Sequence, residues 1–206
     1  MTPLIKVCGL AREEDVLLCH KLGVDFTGFI FVRTSPRYIS PSAVAALPLA
    51  ASARVGVFVN EPVESMRSIM EEAKLDFAQL HGKEDVATCR AVGPERVIKV
   101  LWPDAMNEAD FARAVETFAP VCAYFLLDAG KGGGGSGKTV EQPYLKGFSF
   151  PRPWLLAGGI GPENAVALYR AYAPDGLDLN SALETAPGSK DKTLLRAAMG
   201  AMRALV

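Results

Sequence analysis

Short apolar runs alternate with stretches whose apolar positions recur at helical spacing, and the alternation continues from one end of the chain to the other. Residues 3–8 form an apolar run stopped by Gly9, and residues 13–22 follow as a helix that Gly23 is suited to close. Residues 25–32 read as a second strand, after which Ser40 and Pro41 supply an N-cap and a first-turn proline for a helix reaching to 51. Residues 54–59 are a third strand, and Val63, Met66, Ile69, Met70 and Ala73 mark the helix behind it. The series goes on with strands at 75–80 and 97–101 and helices at 84–91 and around Phe111, Ala114, Val115 and Phe118. Residues 123–127 are a sixth strand, but Pro143 and Gly147 interrupt any helix after it. A strand at 153–157, a helix at 162–172, a strand at 176–179 and a last amphipathic helix carrying Leu194, Leu195, Ala198, Met199 and Met202 complete the pattern.

Eight such βα units without a linker or shift in composition predict a single-domain α/β fold over residues 1–206, a closed (β/α)8 TIM barrel, with a doubly wound open sheet as the alternative. A barrel makes a specific demand. Functional residues should gather at the C-terminal ends of the strands, with phosphate held after strands seven and eight.

Charge narrows the partners. Lys+Arg 22 against Asp+Glu 23 leaves a net charge of -1, with no basic block to track a nucleic acid backbone. The weakly polar run at 43–53 contains Pro48 and falls short of the ~20 residues of a membrane span. Charges at Lys6 and Arg12 break up the start of the chain before a secretory apolar core can form, so the expected setting is cytoplasmic, with no nucleic acid or membrane partner. The 4 cysteines are scattered without a CxxC pair and only 2 histidines accompany them, which argues against a zinc site and against a disulfide framework.

The strand ends carry the candidate chemistry. Alternation puts Lys6 and Cys8 on one face of the first strand, so that in a barrel Cys8 points into the mouth, either as a packing thiol or as a general base tuned by Lys6. Arg37, next to Pro36, is placed to grip a carboxylate or phosphate or to sit solvated at the surface. Gln79 and His81 share a face at the end of strand four, where the histidine could contact substrate, move a proton or serve only the structure. Asp128 ends the sixth strand, directly before a loop with 5 glycines between Gly132 and Gly137. That loop also fits the P-loop pattern GxxxxGK[ST] through Thr139, but a P-loop should feed a well-formed helix, so it reads instead as a glycine-rich lid beside a catalytic acid. Gly158 and Gly159 after strand seven, and Asp178, Asn180, Ser181 and Ala182 at the end of strand eight, form the expected phosphate site, which implies a small phosphorylated substrate.

Taken in order, KVCGL at 6–10, SPRYIS at 35–40, VGVFVN at 55–60, QLHG at 79–82, LLDA with GGSGKT at 126–139, AGGIGPENA at 157–165 and LDLNSALETAPGSKD at 177–191 closely resemble the phosphoribosylanthranilate isomerase family. The resemblance covers nearly the whole chain. It implies an Amadori rearrangement of N-(5-phosphoribosyl)anthranilate to 1-(2-carboxyphenylamino)-1-deoxyribulose 5-phosphate in tryptophan biosynthesis, with no metal and no cofactor, by a monomer or homodimer. It further implies Asp128 as general acid, Cys8 as general base and Arg37 on the anthranilate carboxylate, with Lys6, His81 and Asp178 around the substrate. Gly135, Gly158, Gly159, Asn180, Ser181 and Ala182 are then the phosphate set. The two roles require opposite protonation states, hence a raised Asp128 pKa and a lowered Cys8 pKa. The chain departs from the family pattern in three places: Ala11 stands for threonine, Ala182 for glycine, and the pair Glu141-Gln142 where an aromatic is usual. A histidine-pathway isomerase on the same fold would be expected to use a carboxylate where Cys8 stands. The other rivals are a P-loop nucleotide binder and a barrel that has lost catalysis.

Overall fold

A computed structural model describes residues 2–49, 51–128 and 142–205, and these form a closed parallel barrel of eight strands in sequential order. The strands are β1 (Leu4–Val7), β2 (Phe26–Ile30), β3 (Ala53–Phe58), β4 (Phe77–Leu80), β5 (Val97–Leu101), β6 (Tyr124–Leu127), β7 (Trp154–Leu156) and β8 (Gly176–Leu179). The open-sheet alternative is excluded by the pairing of β8 with β1, where Lys6 is the register partner of Asp178. The barrel interior is filled by alternate residues of its strands. Phe26, Val55, Ile98, Val100, Leu126 and Leu155 make the apolar plug, and Phe26, Phe77 and Tyr124 meet edge to face at 5.6 to 5.8 Å at its base.

The outer layer is built from α1 (Glu13–Lys21), α2 (Pro41–Ala46), α3 (Val63–Glu72), α4 (Val86–Val92), α5 (Glu108–Phe118), α6 (Ala165–Tyr172) and α7 (Lys192–Arg203). Local chemistry sets the ends. Ser40 caps α2 by accepting from the Ala43 amide at 3.2 Å, while Leu47, extended ahead of Pro48, stops that helix short of the expected 51. Asp85 rather than the preceding residues caps α4, which frees Glu84 for a buried role. The sixth connection carries, among its described residues, a single 3-10 turn at Pro143–Leu145 and no α-helix. Aromatics pack along its described part, with Phe150 stacked on Trp154 at 4.7 Å and tilted against Phe148 at 4.8 Å between ring centroids, and Tyr144 donating to the Pro103 carbonyl. No helix among the described residues is long and apolar enough to cross a membrane.

One buried cation ties two helix ends to the barrel. Arg54, on the outer face of β3, donates to the carbonyls of Val44, Ala73, Leu47 and Pro48, which belong to the last turns of α2 and α3 and the segments just after them. Helices leave such carbonyls without internal partners. Arg54→Met keeps the stem but removes these four contacts, so it is expected to destabilise the fold by about 3 kcal/mol. A drop in the urea midpoint at unchanged m-value is the check; an unmoved midpoint would refute this account of Arg54.

After β8 the chain makes a 3-10 turn at Ser181–Leu183 and then a small antiparallel hairpin, β9 (Glu184–Ala186) with β10 (Ser189–Lys190), before α7 begins. The sequence pattern did not lead us to expect this hairpin. It brings two charged residues to the barrel mouth.

Candidate active site

The C-terminal ends of the strands enclose a cavity of about 420 Å³ whose lining includes Cys8, Arg37, His81, Asp128, Asp178, Gly158, Gly159, Asn180 and Ser181. Each strand delivers its side chain for a simple reason. Residues two apart share a face, so the register that fills the plug also raises Cys8 above Lys6, His81 above Gln79 and Asn180 above Asp178. Two of the expected residues lie outside the lining. Lys6 is wholly buried beneath Cys8, and Ala182 packs against Gly161, where an added Cβ would come within 3.1 Å of the alanine methyl. Gly135, with the glycine loop around it, lies outside the described residues.

Beneath the cavity floor, Lys6 Nζ donates to both Asp178 oxygens at 2.9 Å. Burial pulls Lys6 down, but attraction to Asp178 and to Cys8 outweighs it and holds the ammonium above its ordinary range. Burial, helped by the Asp128 charge, leaves the Asp178 carboxyl above its ordinary range although Lys6 pulls it down. These two directions oppose each other across one contact; with both oxygens on the ammonium, the pair is charged.

Around Asp128 the groups are less fully satisfied. Gln79 Nε2 and His81 Nδ1 are 3.0 Å apart, which fixes the imidazole if the amide donates and leaves a proton on Nε2. His81 Nε2 then stands 3.3 Å from Asp128 Oδ2, within ion-pair range although the angle is not that of a hydrogen bond. Gln79 Oε1, His81 Nε2 and Trp102 Nε1 are buried without a hydrogen-bond partner among the described residues, and His81 and Trp102 meet edge to face at 5.7 Å. Buried polar atoms are rarely left this way, and two of these residues, Gln79 and His81, line the cavity.

On the opposite rim, Gly158 and Gly159 have φ of +101° and +57°, a backbone that favours glycine and turns the chain around the cavity edge. Asn164 holds this turn by accepting from the Gly161 amide and donating to the Gly159 carbonyl. Beside it, Ser181 and Ala182 open the 3-10 turn, where N–H groups lack internal partners. Ala182 is not among the described residues with positive φ, so its methyl is tolerated where the family pattern has glycine.

The sequence profile described as N-(5'phosphoribosyl)anthranilate (PRA) isomerase matches residues 5–201. The chain belongs to this isomerase family. Among its relatives, an N-(5'-phosphoribosyl)anthranilate isomerase of Desulfovibrio desulfuricans is 47% identical over 197 residues, 95% of this chain and 93% of that protein. Another, of Maridesulfovibrio salexigens, is 43% identical over 203 residues, 98% of this chain and 99% of that protein. A solved phosphoribosyl anthranilate isomerase in complex with reduced 1-(o-carboxyphenylamino)-1-deoxyribulose 5-phosphate superposes with a TM-score of 0.80 at 31% identity, covering 98% of this chain and 99% of that chain.

Against the isomerase pattern, one expectation needs correction. Cys8 was expected to be made more acidic by Lys6, yet its pKa is raised. Burial is the largest influence and pushes the thiol up, Lys6 and Lys190 pull it down, and the Asp178 charge pushes it up again. A sequence shows the neighbouring lysine but not the depth at which the fold buries the thiol. The other three cysteines are buried and free, as expected of packing thiols, and burial pushes Cys19 and Cys122 up to about 12 and Cys89 to about 11.

Three residues around the site escaped the sequence reading. Glu184 and Lys190 belong to the unexpected hairpin, although Pro187-Gly188 is a turn signal that could have revealed it. Gly28, on β2, is the third: a Cβ there would lie 2.8 Å from Cys8 Sγ and 3.1 Å from Cys8 Cα. No sequence feature distinguishes this glycine. Gly28→Ala should push the thiol out of place and lower kcat/KM about a hundredfold, the scale of a 1 Å misplacement. Steady-state kinetics on folded protein check this, and a variant within twofold of wild type would show that Gly28 does not seat Cys8.

Proposed function

We propose that the chain isomerises N-(5-phosphoribosyl)anthranilate to 1-(2-carboxyphenylamino)-1-deoxyribulose 5-phosphate, with Asp128 as general acid and Cys8 as general base. The observation that carries this reading is one cavity holding Cys8, Asp128 and Arg37 on its walls and the Gly158–Gly159 and Ser181 backbone at its rim. A small phosphosugar with an aromatic acid at the other end has a counterpart for each group there.

Asp128 gives its proton to the furanose ring oxygen. The C1–O bond breaks, the anilino nitrogen lone pair moves into a C1=N bond, and the open chain is a protonated Schiff base. The cationic nitrogen acidifies the C2 proton, which the Cys8 thiolate removes; the electrons form a C1=C2 bond and neutralise the nitrogen, giving an enolamine. Tautomerisation moves a proton from the C2 hydroxyl to C1 and yields the ketone. Lys6, charged beneath Cys8, favours the thiolate, and His81 beside Asp128 orients the acid. Arg37 holds the anthranilate carboxylate with its guanidinium fork, while amides at Gly158, Gly159, Ser181 and Ala182, with Asn180, bind phosphate.

The reaction run in deuterium oxide tests this sequence of bonds. NMR of the product should show the ketose with solvent deuterium on C1. Failure of the purified chain to form the ketose at all would overturn the proposal.

A further inference from the structure

Two cations converge on a carboxylate that the acid–base chemistry does not use. Arg37 donates from Nε to both Glu184 oxygens at 3.0 Å and from Nη2 to Oε2 at 2.7 Å. From the other side, Lys190 Nζ donates to Glu184 Oε1 at 2.9 Å, to Asn180 Oδ1 at 2.9 Å and to the Asn180 carbonyl at 3.1 Å. The Gly188 amide is the third donor residue, 3.1 Å from Glu184 Oε1. The Glu184 side chain is only 4% exposed, and although burial alone would push its carboxyl up, Arg37 and Lys190 outweigh it and hold the group below its ordinary range. The carboxylate is therefore ionised and fully engaged.

The hairpin that carries it is itself anchored. Asp15, buried on α1, accepts from the Lys190 amide and from Arg12 through two nitrogens, and Arg12 Nη2 reaches the Lys190 carbonyl. The stem of Arg37 is seated as well, since a Cβ on Gly9, whose φ is +72°, would fall 2.8 Å from Arg37 Cδ. Arg37 lines the cavity with Nη1 taking no acceptor among the described residues, so Glu184 occupies one edge of the guanidinium and leaves the other toward the ligand.

We propose that Glu184 is a positioning residue for recognition of the substrate's carboxylate, acting through Arg37 and braced by Lys190 and the β9–β10 hairpin. This rests on the reading of Arg37 as the carboxylate grip. An unheld arginine must be immobilised when substrate binds, at a cost in affinity; with two N–H groups already fixed on Glu184, that ordering is complete before binding. The fork geometry is what a lysine or a freely rotating arginine lacks.

The test compares phosphoribosylanthranilate with its carboxylate-free counterpart, phosphoribosylaniline, for wild type, Glu184→Gln, Arg37→Lys and Arg37→Ala. Glutamine preserves volume but loses the charge-assisted fork, so the preference for the carboxylate substrate, measured as a ratio of kcat/KM values, should fall about tenfold, mainly through KM. Arg37→Lys, which keeps the charge but loses the planar fork that Glu184 orients, should reduce the preference in the same way, and an undiminished preference there would overturn the inference should Glu184→Gln fail to fold. In the Arg37→Ala background, Glu184→Gln should cause no further loss of preference, because the two act as one unit. A preference unchanged or enlarged in Glu184→Gln, or equal losses on both substrates, would overturn the inference and leave Glu184 a brace of the hairpin alone. Wild type inactive on phosphoribosylanthranilate would instead overturn the isomerase reading, and this inference with it.

Discussion

Cys8→Ala is expected to lower kcat about a thousandfold with little change in KM, the loss that accompanies removal of a positioned general base. The thiol is 4% exposed, lines the cavity and lies over a buried ammonium, which together separate it from a packing cysteine. Were it only packing, alanine would leave a small void and cost little activity. Cys8→Ser should fail nearly as badly, because a hydroxyl keeps the size but ionises far less readily than a thiol. The sign of the pH dependence follows from the burial. A base works deprotonated, and this thiol's pKa is raised, so kcat/KM should climb with pH through a limb above the ordinary thiol range and be lost as pH falls below it. A rising limb in the acidic range, or a mild Cys8→Ala, would assign the base role elsewhere.

Lys6→Met is expected to be the most destabilising substitution near the site, by roughly 3–5 kcal/mol, because it leaves Asp178 buried without its counter-charge. Lys6 is fully buried and bonded to both Asp178 oxygens at 2.9 Å, so a methionine removes the donor from both. The double variant Lys6→Met with Asp178→Leu removes both charges and should recover most of that stability, as apolar replacements of buried pairs do. Its activity should stay low, since Cys8 then lacks the cation that favours its thiolate. Urea denaturation and kinetics on the same samples separate the two effects. A double variant that regains activity along with stability would show that Lys6 serves the fold alone.

Much of this arrangement was legible in the chain. Short apolar runs mark the eight strands because a parallel barrel buries both faces, and the period-two rule alone puts Lys6 and Cys8, or Gln79 and His81, on one side. Pro143 and Gly147 likewise announced that the described part of the sixth connection carries no α-helix. What could not be read depends on contacts between distant segments. The pairing of Lys6 with Asp178 follows from barrel closure, 172 residues apart. The space that Gly28 leaves for Cys8 exists only once β1 and β2 lie side by side. The rise in the Cys8 pKa sums burial over the whole mouth, and Glu184 acquires meaning only when the hairpin folds back onto Arg37, 147 residues away.

The most direct measurement follows the loss of the anthranilate fluorescence of N-(5-phosphoribosyl)anthranilate with wild type, Cys8→Ala and Asp128→Asn side by side. Turnover by wild type, with each variant folded and slowed about a thousandfold, is the predicted result for an acid and a base that are both required. Wild type without turnover, or either variant close to wild type, would contradict the assignment of Asp128 and Cys8 as the acid and base of this isomerisation.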